Sequence, residues 1–123
     1  MAYVSGFLCA VPTARKQDYL DFATRSWPLF ESSGALDMWE CWGDDVPDGE
    51  VTSFPMAVKK ADDETVVFSW IVWPDKATAD TAYASMQSDP KWQEMGEMPM
   101  DGKRMIWGNF TPLAQFSAKA KAA

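Results

Sequence analysis

The segment from Thr65 to Trp73 constrains the fold most, because it predicts a β-strand that is apolar on both sides. Side chains alternate between the two faces of a strand. One face would carry Val66, Phe68, Trp70 and Val72, and the other Val67, Ser69, Ile71 and Trp73. An antiparallel sheet that leaves one side in water has polar residues on that side. We therefore expect both faces of this sheet to be covered.

The rest of the chain predicts three more strands and two helices. An apolar strand end followed by a proline and a helix-capping residue occurs twice, at Val11-Pro12-Thr13 and at Trp73-Pro74-Asp75. The predicted strands are residues 3–11, 35–43, 65–73 and 104–110, and the predicted helices are about 15–33 and 75–88. This β-α-β-β-α-β order indicates an α+β, ferredoxin-like sandwich, with a four-stranded antiparallel sheet and both helices on one face. We expect one domain over residues 1–116 and a frayed tail over 117–123.

Two helices can cover only one face of this sheet, and the chain offers no third long helix for the other face. Seven Trp, seven Phe and eight Met also imply an extensive core or an apolar contact surface. A second copy, packed sheet against sheet about a two-fold axis, is the economical cover. We therefore predict a homodimer through the sheet faces.

The composition argues against several functions. Without histidine there is no Ser-His-Asp or Cys-His pair, no histidine metal cluster and no proximal haem histidine. A net charge of −7 without a basic stripe argues against nucleic-acid binding. Cys9 and Cys41 form no CxxC pair, and neither a secretion signal nor a membrane-spanning run is seen. We predict a cytoplasmic protein with two free thiols, no cofactor and no membrane partner.

The second predicted strand leads into an acidic loop, residues 44–64, whose acids raise the question of a metal site. The first of them are Asp44, Asp45, Asp48 and Glu50. Their spacing does not fit an EF-hand calcium loop, because Val46 stands where a ligand is needed and Pro55 where the closing Glu belongs. Pro47-Asp48-Gly49 is instead a turn signature. We predict a solvated turn and no metal.

Glu40 is the candidate catalytic residue. It lies in the middle of the second strand, with Met38 and Trp42 as its neighbours on the same face. A carboxylate is costly to bury unpaired, and burial raises its pKa towards neutrality. Such a group can act as a general base or acid. The alternative is a structural ion pair with Arg104, Lys103 or a base of a partner copy.

Tryptophans could line a ligand pocket next to Glu40, although aromatic residues at strand spacing are more often core or interface. The tryptophans in question are Trp39, Trp42, Trp70, Trp73 and Trp107. If a pocket exists, we expect Trp42 and Trp70 to be its walls and Arg104 to hold an anionic group. Alternatively, Arg104 only neutralises the acidic loop.

Four segments are similar to the YbaA-like family of small bacterial proteins. They are Glu40 to Gly49, Glu64 to Ile71, Trp73-Pro74 and Asp101 to Met105. That family is a domain of unknown function in the dimeric α/β-barrel superfamily, so the resemblance implies a ferredoxin-like fold and a sheet-to-sheet dimer. It implies no reaction. The superfamily includes cofactor-free monooxygenases, muconolactone isomerases and haem enzymes, and the lack of histidine weighs against the haem members.

Two hypotheses from different classes remain. In the first, a pocket between sheet and helices binds a small hydrophobic or aromatic molecule, and the chain is a binder or a cofactor-free isomerase or monooxygenase-like enzyme with Glu40 as proton acceptor. In the second, it is a non-catalytic dimeric structural or interaction module. A cavity of several hundred cubic ångströms with Glu40 at its wall favours the first, and a closed interior favours the second.

Overall fold

The computed structural model describes residues 2–118 and confirms the ferredoxin-like sandwich. Its elements are β1 (Tyr3–Pro12), α1 (Lys16–Ser32), β2 (Asp37–Trp42), α2 (Phe54–Ala57), β3 (Glu64–Trp73), α3 (Lys76–Met86), α4 (Pro90–Gln93) and β4 (Ile106–Phe110). Short 3-10 turns occupy Thr13–Arg15 and Gly102–Arg104. The four strands form one antiparallel sheet in the order β2-β3-β1-β4. The two long strands, β1 and β3, therefore lie at its centre.

The register of β1 with β3 sorts their side chains into two sets. The pairs run from Tyr3 opposite Trp73 to Pro12 opposite Glu64. On the side of α1 and α3, Trp73 is 0% exposed and packs with the helix residues Ala79 and Ala82. We call this side of the sheet the helix face and the other side the open face.

A hydrogen-bonded serine fixes one end of the helix face. The Ser5 hydroxyl accepts from Trp73 Nε1 at 3.1 Å and from the Tyr83 hydroxyl at 2.7 Å. It donates to Asn109 Oδ1 at 2.6 Å. Ser5 is fully buried, so its hydroxyl needs these partners, and together they join β1, β3, α3 and β4.

The open face is apolar and largely uncovered within one copy of the chain. Trp39 and Trp70 stack on it with ring centroids 5.6 Å apart. Trp39 is 57% exposed and Phe68 44% exposed. The corner around Ala10 and Val66 is covered by the fully buried Val58, and Phe54 of α2 packs beside Phe68 with ring centroids 5.9 Å apart. The two apolar faces predicted for β3 are therefore present, and one of them lacks a cover.

Local details differ from the sequence-based expectations at the element ends. Asp75 caps α3 as predicted, accepting from the Thr78 amide at 2.8 Å. Thr13 does not cap α1; its hydroxyl instead lies 2.7 Å from that of Thr65, and a 3-10 turn separates it from the helix. The strands β2 and β4 are shorter than predicted, because β2 begins only at Asp37 and a turn occupies the first residues expected for β4. The short helix α4 lies between the predicted second helix and the predicted last strand, where the sequence indicated no regular element. Of the predicted tail, residues 119–123 lie outside the described part.

Candidate functional site

A cavity of about 240 Å³ lies between the helix face of the sheet and the helices. The sheet contributes Cys9, Met38, Glu40 and Ser69 to its wall, and α1 contributes residues that include Tyr19 and Ser26. Trp92 of α4 and Met98 line it as well, from the segment that follows α3. The cavity exists because the long helices do not cover the whole sheet, and this methionine-rich segment fills the gap only in part.

Glu40 presents its carboxyl group at the wall of this cavity. The Tyr19 hydroxyl donates to Glu40 Oε1 at 2.7 Å. Ser69 lies directly opposite Glu40 in the β2–β3 ladder, and its hydroxyl also hydrogen-bonds to the carboxylate. As part of an edge strand Glu40 keeps an exposed side, whereas its carboxyl end lies among the atoms of α1 and β3.

The surroundings of Glu40 favour its protonated form. Burial of the carboxyl group raises the pKa of Glu40 above its ordinary value, and the hydrogen bonds from Tyr19 and Ser69 oppose the increase without cancelling it. Burial and the nearby charge of Glu40 also raise the pKa of Tyr19. Tyr19 is therefore a neutral donor near neutral pH, and Glu40 takes up a proton more readily than an exposed glutamate does.

The thiol of Cys9 is a third member of this group. Burial raises the pKa of Cys9 to about 11; the charge of Glu40 adds to this effect and a hydrogen bond with Tyr19 opposes it. A neutral thiol is a weak nucleophile. Cys9 is therefore a lining group here rather than an activated cysteine, and Cys9 and Cys41 are both free thiols.

Trp42 lies close to Glu40, in an adjoining cleft at the end of β2. Glu40, Tyr19 and Trp42 all line this smaller cleft of about 150 Å³. The Lys16 ammonium lies 5.3 Å above the centre of the Trp42 ring, a cation–π contact. The structure thus brings Trp42 and Glu40 together, as the sequence suggested.

The predicted shared pocket needs correction for Trp70 and Arg104. Trp70 points to the open face, because Ser69, and not Trp70, shares the face of Glu40. The Arg104 guanidinium binds both carboxylate oxygens of Glu64, at 2.7 and 2.6 Å, and donates to Asp101 Oδ2 at 3.0 Å. Neither residue lines the cavity at Glu40. Arg104, which the sequence suggested as an ion-pair partner of Glu40, therefore pairs with Glu64 instead.

The Glu64–Arg104 pair has a structural role. Glu64 is buried and also accepts from the Ala61 amide at 2.7 Å, while Arg104 donates to the Lys59 carbonyl at 2.9 Å. The hydrogen bonds from Arg104 lower the pKa of Glu64 to about 2. The ion pair therefore connects the end of the acidic loop to the turn before β4.

Sequence reasoning missed the residues that surround Glu40. Tyr19, Ala23 and Ser26 lie on one face of α1 and all line the cavity, but helical periodicity counts a tyrosine as an apolar residue. A tyrosine and a serine seven residues apart on the buried face of a helix were the available signal. Ser69 could have been found as the single polar position inside β3.

Neither a metal-ligand group nor a membrane-spanning helix is found among the described residues. Within residues 2–118, no group of three Cys, Asp or Glu side chains could hold a metal ion. The loop acids Asp44, Asp45, Asp48 and Glu50 are exposed. No helix in the described part is long and apolar enough to cross a bilayer.

Solved structures share this fold at low sequence identity. A dimeric ferredoxin-like protein from an uncultured marine organism has a TM-score of 0.59 and 10% identity, covering 94% of this chain and 98% of the other. A NIPSNAP domain protein from Burkholderia xenovorans has a TM-score of 0.56 and 12% identity, over 94% and 99% of the two chains. These likenesses show the architecture.

Sequence relatives are much closer. The uncharacterized protein YbaA of Escherichia coli K12 is 54% identical over 111 residues, which cover 89% of this chain and 95% of YbaA. YbaA of Shigella flexneri matches to the same extent. The model of a family described as "Protein of unknown function (DUF1428)" matches residues 2–102. The chain therefore belongs to the DUF1428 family, the YbaA-like proteins of unknown function.

Proposed function

We propose that this protein is a homodimer that binds a small, largely apolar molecule in the cavity between sheet and helices, and that Glu40 is the proton acceptor of a cofactor-free reaction there. One observation carries the proposal. A carboxylate with a raised pKa, held by Tyr19 at 2.7 Å, lines a cavity of about 240 Å³ whose other walls are mostly apolar.

The chemistry that this arrangement supports is proton transfer. The Glu40 carboxylate would take a proton from a hydroxyl or an acidic C–H of the bound molecule and return it to another carbon, which isomerises the substrate without any other reactant. The same proton removal would prepare an electron-rich aromatic for reaction with dioxygen. Tyr19 would keep the carboxylate oriented throughout, because it stays protonated near neutral pH.

The cavity favours this function over that of a non-catalytic module. A purely structural Glu40 would need a cationic partner, and the residues around its carboxyl group are a tyrosine and a serine. A packed interior would leave no room for a ligand, whereas an apolar cavity of about 150 Å³ is enough to hold benzene in another protein. The free thiols of Cys9 and Cys41 fit a reducing cytoplasm.

The open face supports the homodimer. Exposed aromatic side chains lie on both halves of it, with Trp39 and Phe68 on one half and Phe110 on the other. Contiguous apolar surface of this kind marks a contact site. The fold neighbour described as dimeric supports the same assembly. A two-fold packing of open face on open face would leave the helix-face cavity of each copy accessible.

A ligand screen by thermal shift tests the binding function. Compounds that bind the folded state raise the melting temperature by mass action. We expect small aromatic compounds to raise the melting temperature of the wild type and of the control Asp37→Asn, a change on the same strand outside the cavity lining. Native mass spectrometry of freshly purified protein would identify a co-purified ligand.

Proton transfer is then tested with the compounds that bind. In D₂O, the wild type should catalyse deuterium incorporation at a carbon of the bound molecule, as followed by NMR. Glu40→Gln should stay folded and lose this activity, while Asp37→Asn should keep it. Equal exchange in the wild type and Glu40→Gln would contradict the proposed role of Glu40.

A further inference from the structure

Three of the four hydroxyl groups that line the Glu40 cavity donate to groups within the protein, and the fourth, on Ser69, faces the Glu40 carboxylate. Tyr19 donates to Glu40 at 2.7 Å, and Ser69 hydrogen-bonds to the same carboxylate. Ser26 donates to the Ala23 carbonyl at 2.7 Å, and Tyr83 donates to the Ser5 hydroxyl at 2.7 Å. A ligand oxygen that needs a donor therefore finds no free hydroxyl proton in this wall.

The acceptor capacity of the cavity, by contrast, is not used up. An ionised carboxylate offers about four lone-pair sites. The carboxylate of Glu40 has two hydrogen-bond partners, Tyr19 and Ser69. The bond from Tyr19 goes to Oε1. The bonds from Tyr19 and Ser69 also hold the carboxylate in place. The wall therefore presents a fixed acceptor to whatever enters the cavity.

The charges around the cavity act in the same direction. Glu40 is the one charged side chain among the lining residues, which include no lysine or arginine. Two cations lie close to the cavity without lining it: Lys16 over Trp42 in the adjoining cleft, and the exposed Arg25 at 5.6 Å from the ring centre of Phe22, a lining residue. A carboxylate or phosphate entering the cavity would meet a like charge without a compensating partner, which disfavours anions.

Two weaker donors remain in the lining. The Cys9 thiol is a poor donor and lies next to Tyr19. The indole of Trp92 packs edge-on against Phe30, with ring centroids 4.7 Å apart, on the α4 side of the cavity. The Cys9 thiol belongs to the group around Glu40 but is a weak donor, and the Trp92 indole packs on Phe30 without a hydrogen bond to that group, so neither provides a strong donor beside the proton acceptor.

We propose that the ligand of this cavity is a hydrogen-bond donor: one or two apolar rings that carry a hydroxyl or an ammonium group directed at Glu40, and not a carboxylate, a phosphate or a simple ketone. The inference rests on the proposed binding function and narrows its substrate class. The volume suits this size, because a cavity of about 240 Å³ exceeds the ~150 Å³ that holds a single benzene ring.

A series of naphthalenes that differ in one substituent tests the inference by calorimetry. The probes are 2-naphthol, 2-naphthylmethylamine, 2-methoxynaphthalene, 2-acetylnaphthalene and 2-naphthoate. We expect 2-naphthol or the amine to bind at least tenfold more tightly than the ether, the ketone and the carboxylate. Comparison of the hydroxyl with the ammonium probe shows which donor the cavity accepts.

Variants assign this preference to Glu40. Glu40→Leu removes the acceptor and should reduce the advantage of 2-naphthol over its methyl ether to less than threefold, while Asp37→Asn should preserve it. If Glu40→Leu does not fold, Glu40→Gln, which keeps one acceptor oxygen, should lower the advantage in part.

The possible outcomes separate this inference from the proposed function. If the ether, the ketone or the carboxylate binds as tightly as 2-naphthol, the ligand class is overturned, although the cavity remains a binding site. If none of the five probes binds at its solubility limit, the cavity is not a binding site, and both the proposed function and this inference are overturned.

Discussion

The two faces of the sheet have similar apolar character in the strands, yet they are used differently. On the helix face, Trp73 is completely buried under α3, and polar groups such as Ser5 have partners. On the open face, Trp39 and Phe68 remain exposed. Among the open-face strand residues, charges occur only at the ends, at Asp37 and Glu64. The helix face is thus covered in large part by the helices of the chain itself, whereas the open face is left largely uncovered.

This difference indicates where chemistry and assembly reside. An acid on the open face would be buried between two copies, where a charge without a partner is costly. Glu40 instead lies on the helix face, next to a tyrosine that hydrogen-bonds to it and a cavity of about 240 Å³. The helix face is therefore suited to binding a small molecule, and the open face to association.

The largest expected effect is on stability, when the core of the helix face is emptied. Trp73→Ala should lower the free energy of unfolding by about 3–5 kcal/mol, because it leaves a large cavity and removes a hydrogen bond to Ser5. Trp107→Ala is the control, since Trp107 is 59% exposed, and it should cost about 1 kcal/mol or less. Urea denaturation measures both. Similar losses in the two variants would show that exposure does not distinguish these positions.

A charge on the open face should separate the two copies. Phe68→Lys should weaken the dimer by about 2 kcal/mol or more, roughly thirtyfold in dissociation constant, because a lysine would be buried at the centre of the contact. Leu20→Lys is the matched control, since Leu20 is 53% exposed but lies on α1. Light scattering after size-exclusion chromatography measures the mass. A monomeric wild type at micromolar concentration would contradict the assignment of the open face.

Acid should weaken the Glu64–Arg104 ion pair, which lies at one end of the open face. The pKa of Glu64 falls from an ordinary 4.5 to about 2 in the folded protein. Its stabilising contribution is therefore complete above about pH 4.5 and is lost as the pH falls towards 2. The stability difference between wild type and Glu64→Gln should shrink over that range in urea titrations. Asp62→Asn, a change at an exposed neighbouring residue, is the control. A stability difference between wild type and Glu64→Gln that stays constant over this pH range would contradict the lowered pKa of Glu64.

The smallest effect is expected at Glu40 and has the opposite sign. Because the folded pKa is raised, the carboxylate disfavours folding, and the contribution of Glu40 to stability falls as the pH rises above 4.5. Glu40→Gln should thus melt no lower than the wild type at pH 8, with Asp37→Asn as control. A large decrease in the melting temperature would instead identify Glu40 as a structural ion-pair partner.

The periodicity of the sequence predicted the fold well. Alternation in β3 and two proline-and-cap signals are local properties, and they determined the order of elements and the faces of the central strands. Element ends were less certain because turns decide them, as at Thr13, where contact with Thr65 takes the place of a helix cap.

The site was predictable only in part. Glu40 was recognisable because a charge inside an apolar strand is unusual. Its true neighbours depend on the β2–β3 register, which sets Ser69 opposite Glu40 and turns Trp70 to the other face. The pairing of Arg104 with Glu64 joins residues 40 positions apart through loops that lack periodicity. Tyr19 was missed because its ring fits the apolar periodicity of the helix, although its hydroxyl donates a hydrogen bond to Glu40.

The most direct test of the account is a ¹³C NMR titration of the Glu40 carboxyl group, with and without saturating 2-naphthol. The account predicts a pKa above that of an ordinary glutamate in the free protein, and a change in the Glu40 resonance on ligand addition that Asp37 does not share. An ordinary pKa together with a Glu40 resonance unchanged by the ligand would contradict the assignment of this carboxylate and its cavity as the functional site.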